Sequence, residues 1–306
     1  MGYDLYFYRR GKEPLTEEAV GEFLEELPQY QCSDEAFPYY NEATGVYFFF
    51  EFTDTDEVPS FRGFHKTGLC FRLNYIRPTY FALEALPVVG GLTEALDLLV
   101  YDPQNREEED LPTAFNQEAL IRTWYEGNFI AAKIAPQNTP FLPRERSEAL
   151  WHYMRNKEDM QSQLGDDSFV PKMLLFRQPG STILRTAVSW TSAIPQVFSE
   201  CDFVIILKKQ KDSSYEKGTI PYDELLNRFG RFMEPFDGPV PKIKILRPEG
   251  ARFARRAFDQ LQTTSYDRLI QVALDGFVDV EVYPYYSFCS FLMALFASCL
   301  THPFLC

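Results

Sequence analysis

The sequence lacks the residue patterns of the common enzyme classes. It has no G-x-S-x-G motif, no Walker A loop and no G-x-G-x-x-G loop, so it indicates neither a hydrolase nucleophile elbow nor a phosphate cradle. Its three histidines, His65, His152 and His302, have no second His or Cys at metal-ligand spacing, and the six cysteines form no C-x-x-C pair. We predict no catalytic residue, no metal and no cofactor, although a Ser-His-Asp triad from distant positions stays open.

The sequence also does not show the residue pattern of a secretory leader or of a membrane span. The N-terminus continues as Tyr3-Asp4-Leu5-Tyr6, which is typical of a strand and not of a basic leader. The apolar run Phe288–Leu300 has 13 residues before His302-Pro303, whereas a span needs about 20. We expect a C-terminal helix that is buried or covered by a partner, the alternatives being a membrane segment and a disordered tail. Unpaired cysteines agree with a cytoplasmic location.

Basic residues are scarce in the first half of the chain. Residues 1–140 contain 10 Lys and Arg against 24 Asp and Glu, a net charge of −14, whereas residues 141–306 contain 20 of each. A surface this acidic repels nucleic acid and anionic lipid and attracts basic proteins within about a Debye length, roughly 8–10 Å. The sequence therefore predicts a basic protein partner and no nucleic acid, and leaves the oligomeric state open.

The composition is that of a folded protein, with 45% hydrophobic and 16% aromatic residues. In the first half, hydrophobic periodicity predicts the order β-α-β-β-β-β-α-β, which includes a strand at Tyr80–Ala85 and a helix that begins at Pro87. Thr16 is the predicted N-cap of the first helix, which has acidic residues in its first turn. Asn41–Gly45 is predicted to be a five-residue hairpin loop. The run Val46–Phe50 after it is apolar on both sides and predicts a central strand covered on both faces. We expect an α+β protein whose N-terminal half is a ferredoxin-like sandwich with an antiparallel sheet.

A domain boundary is predicted where the charge balance changes. Pro136, Pro140 and Pro143 lie close together there, which divides the chain into an acidic ferredoxin-like domain, 1–140, and a second mixed α/β domain, 141–306, that ends in the apolar segment. In this second half, Asp275-Gly276 between Leu269–Leu274 and Phe277–Val282 predicts a two-residue type I′ hairpin.

Two groups of carboxylates are the candidate contact residues for a basic partner. The first follows the predicted central strand, and the second forms an acidic loop before the next predicted helix. These residues are Asp54, Asp56, Glu57, Glu107, Glu108, Glu109 and Asp110.

Other uses of charged and apolar residues remain as alternatives. The trio Asp54, Asp56 and Glu57 at a strand end is a place where metal-dependent hydrolases carry ligands, so such an enzyme is one alternative. An adaptor that docks through its apolar C-terminus is another. The arginines of the predicted helix Glu249–Gln262, at Arg252, Arg255 and Arg256, fit either a phosphate contact or an ordinary exposed helix face.

Four stretches are similar to bacterial immunity proteins that protect against secreted antibacterial toxins, including type VI secretion effectors. They are Tyr3-Asp4-Leu5-Tyr6-Phe7-Tyr8, Phe71-Arg72-Leu73-Asn74-Tyr75-Ile76-Arg77-Pro78, Leu98-Leu99-Val100-Tyr101-Asp102-Pro103-Gln104 and Asp275-Gly276-Phe277-Val278-Asp279-Val280. The resemblance is diffuse and includes no motif that fixes binding residues. It implies a cytoplasmic inhibitor that binds one cognate toxin, such as a nuclease, by occluding its active site and catalyses no reaction.

Overall fold

The structure, a computed structural model, describes residues 2–11, 13–27, 29–30, 36–54, 58–105, 111–136, 138–265 and 268–280. Over these ranges the chain is a mixed α+β protein with seven α-helices and three sheets. The α+β class expected from the sequence is therefore confirmed, and most strand pairs are antiparallel.

The first half is built on a five-stranded sheet with the order β2-β3-β4-β1-β5. Its strands are β1 (Gly2–Arg9), β2 (Phe37–Tyr40), β3 (Tyr47–Phe52), β4 (His65–Asn74) and β5 (Leu99–Tyr101), and its helices are α1 (Glu17–Glu25), α2 (Tyr80–Ala95) and α3 (Gln117–Ile134). Alternate residues of β1, namely Tyr3, Leu5 and Phe7, are fully buried on one face. This period of two fixes which side of the sheet receives the helices.

Helix α1 begins as its sequence predicts. The Thr16 hydroxyl accepts a hydrogen bond from the Ala19 amide at 3.3 Å, which makes Thr16 the N-cap. Val20 and Leu24 are buried on its inner side. Phe23 packs against α2 at Gly91, where an added Cβ would lie 3.1 Å from the phenyl ring. A glycine at that position lets the two helices approach closely.

The strand predicted at Tyr80–Ala85 is wrong, because these residues form the first turns of α2. The observed order is β-α-β-β-β-α-β, with one strand fewer than expected. Residues on nearly every side of α2 are buried, so its apolar run has no amphipathic period to distinguish it from a strand. Pro87, expected in a first turn, lies inside this helix.

The hairpin around Asn41–Gly45 is confirmed, but its second strand is not central. β2 and β3 pair antiparallel from Phe37 opposite Phe50 to Tyr40 opposite Tyr47. β3 is second from the sheet edge, and only alternate residues such as Phe48 and Phe50 are buried, while the opposite face is half-buried. An aromatic run can thus occupy a strand with one fully covered face.

The second half contains a mixed five-stranded sheet and a small three-stranded one. The larger sheet has the order β10-β9-β7-β6-β13, with β7 and β9 parallel, and the smaller has the order β11-β12-β8. The strands are β6 (Leu174–Arg177), β7 (Arg185–Thr191), β8 (Gln196–Phe198), β9 (Phe203–Lys209), β10 (Tyr215–Pro221), β11 (Glu234–Pro235), β12 (Lys244–Leu246) and β13 (Ile270–Val272). The helices are α4 (Arg144–Arg155), α5 (Lys157–Leu164), α6 (Tyr222–Phe229) and α7 (Pro248–Asp259), and a 3₁₀ turn, Gly230–Phe232, follows α6.

The hairpin predicted around Asp275-Gly276 is wrong within the described residues. A type I′ turn needs positive φ at both central residues, and neither Asp275 nor Gly276 has it. β13 pairs instead with β6, and Val278 forms a parallel bridge with Phe141. Long-range pairing has overridden the local turn signal.

Two buried carboxylates connect the halves of the chain. Glu84 of α2 is 3% exposed; its Oε1 accepts hydrogen bonds from Tyr39, Asn41 and Thr44 at 2.9, 2.7 and 3.1 Å, and its Oε2 accepts one from the indole of Trp151 on α4 at 2.6 Å.

Asp279 makes a second connection, since it accepts from the backbone amide and hydroxyl of Thr79 at 2.7 and 2.8 Å. Buried side chains of both halves form one continuous hydrophobic cluster. The boundary at Pro140 stays a prediction.

Replacing Glu84 tests whether its carboxylate holds this junction together. Glu84→Ala leaves the side-chain donors of Tyr39, Asn41, Thr44 and Trp151 unsatisfied, so we expect the free energy of unfolding to fall by at least about 3 kcal/mol. The measurement is urea denaturation followed by circular dichroism. Glu42→Ala is the control: this side chain is 82% exposed, and its loss should change stability by less than about 0.5 kcal/mol. Equal effects of the two substitutions would contradict the role of Glu84.

Candidate functional site

Asp54 is the one predicted contact residue that the structure describes. It follows β3 and is exposed. The other six lie outside the described residues: Asp56, Glu57, Glu107, Glu108, Glu109 and Asp110. Their role in binding therefore stays a prediction.

The strands that lead into the two predicted acidic segments run in opposite directions. β3 reaches Phe52 opposite Leu69, on the way to the end of the sheet where Arg9 pairs with His65. After β5, residues beyond Tyr101 run along the beginning of β1, where Asp102 accepts from the Tyr3 hydroxyl at 2.7 Å and Gln104 accepts from the Asp4 amide. The chain leaves these two strands at opposite ends of the sheet, so the two segments do not begin from one edge.

A concentrated set of described carboxylates lies on the outer side of α1. Glu18, Glu22, Glu25 and Glu26, which we call the α1 acidic face, fall within an arc of about 100° on the helix surface. They are all exposed, opposite the buried Val20 and Leu24. Among the described residues none of the four has an ion-pair partner, and α1 itself contains no Lys or Arg. Within the described ranges, therefore, no cation of the chain occupies this face.

This arrangement is unfavourable for the helix itself. Glu18 and Glu22, and Glu22 and Glu26, are like charges four residues apart, and each such pair destabilises an isolated helix by about 0.2–0.5 kcal/mol. Glu25 and Glu26 also lie at the C-terminal end, where the helix dipole disfavours anions. Helix stability therefore does not explain why the face is acidic.

The α1 acidic face was missed from the sequence because its glutamates were interpreted only as part of a helix start. Glu17 and Glu18 are the first-turn acids that a helix dipole favours. The available signal was the absence of any Lys or Arg from residues 17–26 together with the spacing of the remaining glutamates. Assigning these glutamates to one face of the helix, and noting that every charge on that face is negative, would have identified it.

Buried carboxyl groups that resemble catalytic residues have structural roles in the described part of the chain. No three His, Cys, Asp or Glu side chains are grouped there in a way that suits a metal ion. The hydrolase alternative depends on Asp56 and Glu57, which lie outside the described residues. Burial raises the pKa of Asp102 and of Asp279, and hydrogen bonds from Tyr3 and Thr79 respectively oppose that rise. These carboxyl groups tie chain segments together.

The two described cysteines are poor nucleophiles. Burial raises the pKa of the Cys70 and Cys201 thiols to about 12 in each case, and both are free of disulfides. At pH 8 the thiolate fraction is then on the order of one in ten thousand. Because the thiolate is the reactive form, neither residue is suited to covalent catalysis.

Alkylation with iodoacetamide at pH 8 tests this assignment. We expect Cys70 and Cys201 to stay unmodified in the native protein over a period in which the urea-unfolded chain is labelled at both, because unfolding restores ordinary thiol pKa values. Peptide mass spectrometry locates the modified residues. Labelling of either cysteine at the same rate in the two states would contradict its burial and its raised pKa.

Comparison with known proteins identifies no relative of this chain. The chain matches no protein-family model, no curated protein and no solved structure. In the described ranges, no helix combines the length and apolar character that crossing a bilayer requires. The surface of the chain itself is accordingly the basis for assigning its function.

Proposed function

We propose that this chain is an immunity protein, which binds a basic antibacterial toxin and neutralises it by covering its active site without catalysing a reaction. The observation that carries the proposal is the separation of charge, with a net −14 in residues 1–140 and a neutral remainder. The α1 acidic face gives that charge a location on the folded surface. The implied setting is the cytoplasm, and nucleic acid is not a partner.

The physical basis of the proposal is electrostatic steering. Nuclease toxins are basic around the clefts that hold phosphate, and an acidic inhibitor can occupy such a cleft in place of the nucleic acid. Complementary fields raise association rates to roughly 10⁸–10⁹ M⁻¹s⁻¹ at low salt. Rapid capture suits an inhibitor whose target damages the cell by turnover. The α1 glutamates are tolerated at some expense of helix stability, as expected of residues retained for binding.

The proposed contact surface combines α1 with the sequence-predicted carboxylates. The α1 acidic face and Asp54 are its described members, and Asp56, Glu57 and the segment Glu107–Asp110 are its further candidates. Their role is to pair with Lys and Arg of the toxin. Because the chain leaves β3 and β5 at opposite ends of the sheet, we propose that a single toxin contacts α1 together with one of these segments.

We also propose that the N-terminal half is a ferredoxin-like sandwich with an added strand. The order β3-β4-β1-β5 with antiparallel pairs, and the placement of α1 between β1 and β2 and of α2 between β4 and β5, support this assignment. β2 then extends the sheet at one edge. A fold with its helices on one face leaves the outer side of α1 accessible to a partner.

Neutralising the α1 acidic face tests the proposal. The variant Glu18→Gln/Glu22→Gln/Glu25→Gln/Glu26→Gln should associate at least about tenfold more slowly at low salt with the basic protein that copurifies with the chain from its native cell, and its rate should depend less on salt. The dissociation rate should change less. The unfolding midpoint should stay constant or rise, because like-charge repulsion within α1 is removed. Surface plasmon resonance over a salt series gives both rates.

A matched control removes the same number of charges from the neutral half. Glu145→Gln/Asp159→Asn/Asp166→Asn/Asp167→Asn changes exposed residues outside α1 and should leave the association rate within about twofold of the wild-type rate. If both variants slow association equally, net charge and not the α1 acidic face is responsible. If neither does, or if the wild-type chain fails to inhibit the copurified protein, the proposed function is wrong.

Charge reversal of Glu107–Asp110 to lysine tests the loop predicted from the sequence. If this loop is the second contact, the association rate should fall by at least about tenfold at low salt and the salt dependence should weaken. The same kinetic measurement applies. An unchanged rate and an unchanged salt dependence would exclude the loop as part of the docking surface.

A further inference from the structure

An aromatic side chain is exposed on the surface of α7. Phe253 is 72% exposed, the most among the large hydrophobic residues that the described part of the chain presents to solvent. Its ring stacks on that of Phe232 in the 3₁₀ turn, with centroids 6.5 Å apart and planes inclined by 15°. An exposed phenyl ring presents apolar area that water disfavours, and paired aromatics on a surface are typical of binding sites.

The fold fixes this aromatic pair in place. At Gly250 in the first turn of α7, an added Cβ would lie 2.3 Å from the carbonyl oxygen of Phe232, so only glycine allows the helix to pack directly on the backbone of the turn. Phe253 follows one turn later, above the Phe232 ring. The other side of α7 is anchored in the core by Ala254 and Phe258. A partner therefore meets a preformed surface and loses little entropy in ordering it.

Three arginines near the pair have no acidic partner in the part of the chain that the structure describes. The Arg231 guanidinium lies 4.7 Å from the centroid of the Phe232 ring. Arg252 and Arg256 lie on one side of Phe253 on the surface of α7, within about 100° of it; both are exposed, and neither has an ion pair among the described residues. Residues 228–256 contain eight Lys and Arg against three Asp and Glu, a net of +5 in a chain of net −14. The net charge of this segment is therefore opposite in sign to that of the whole protein.

We propose that this basic aromatic face, formed by Arg231, Phe232, Arg252, Phe253 and Arg256, binds an acidic segment of a second partner protein that carries an apolar side chain among its carboxylates. The guanidinium fork pairs with carboxylates through two parallel hydrogen bonds. The apolar side chain covers Phe253 and removes its exposed area from water. This site goes beyond the proposed toxin inhibition, because its charge preference is opposite to that of the α1 acidic face.

The charge distribution favours a short acidic segment over nucleic acid as the occupant. Outside residues 228–256 the chain has a net charge of −19, which repels a polyanion that extends beyond the face. A segment with a few carboxylates pairs with the local arginines and leaves little charge outside them. The field of the remainder thus selects against long anions.

Fluorescence anisotropy with a labelled peptide tests the proposal on the full chain. The probe is a short peptide of Glu and Asp around one central Leu, and its companion carries Gln and Asn in place of the acids. We expect the acidic peptide to bind with an affinity that falls as salt rises, and its neutral companion to bind at least about tenfold more weakly. Phe253→Ala and Arg252→Gln/Arg256→Gln should each weaken binding of the acidic peptide about tenfold or more, whereas Arg256→Lys, which keeps the charge without the fork, should have an intermediate effect.

Controls separate this face from general electrostatics and from misfolding. Arg185→Gln removes an exposed arginine at the start of β7. Helix α7 lies near the other end of this strand, because Arg255 contacts Ser192 just beyond that end. The Arg185→Gln variant should therefore bind the peptide as the wild type does. Phe253 is mostly exposed, so Phe253→Ala should keep the native circular dichroism spectrum and unfolding midpoint. Equal weakening by Arg185→Gln, or no binding of the acidic peptide by the wild type, would overturn the proposal.

Two other occupants give distinct results. Tighter binding of oligothymidylate than of the peptide, lost in Phe253→Ala, would assign the face to single-stranded nucleic acid and overturn the protein partner. Self-association in sedimentation that disappears in Phe253→Ala would assign it to a second copy of the chain, with the same consequence. The toxin-binding proposal is tested through α1, so its failure would leave these measurements unaffected.

Discussion

The carboxyl group of Glu84 is the buried polar group on which the packing between the sheet, α2 and α4 depends. Desolvation of an ionised carboxylate is unfavourable by several kcal/mol unless its lone pairs are satisfied. Here donors from β2, from the following loop and from α4 converge on the two oxygens. The four donors come from three parts of the chain, so the carboxyl group is fully satisfied only when all three parts are in place. The indole of Trp151 also lies parallel to Tyr80, with an angle of 3° between the planes.

Two exposed surfaces of opposite charge lie on helices α1 and α7. The α1 acidic face is positioned by Phe23 against Gly91, and the basic aromatic face by Gly250 against Phe232. An added Cβ at Gly250 would clash with a backbone carbonyl oxygen at 2.3 Å, whereas one at Gly91 would need only a small shift of the Phe23 ring, 3.1 Å away. The glutamates and arginines of the two surfaces are exposed and are not part of the buried core. Charge has therefore been distributed on these helices independently of what makes them fold.

Features that depend on neighbouring residues were predictable from the sequence, and features that depend on distant pairing were not. The N-cap at Thr16 and the hairpin around Asn41–Gly45 follow from local chemistry. The strand assigned to Tyr80–Ala85 failed because a helix buried on nearly all sides has no polar face to reveal its period. The turn at Asp275-Gly276 failed because Val278 pairs with Phe141, far away in the sequence. The contact residues were predicted from charge density alone, and the α1 acidic face emerged only once the buried side of α1 was known.

The two surfaces differ in how strongly they specify a partner. In the proposed function the α1 carboxylates act mainly through their field, which accelerates the approach of a basic molecule and discriminates weakly between basic molecules. The basic aromatic face combines charge with an apolar centre and with the fixed geometry of guanidinium groups, a combination that rejects partners lacking either element. A chain that uses the first for fast capture still needs well-packed apolar contacts to retain its target.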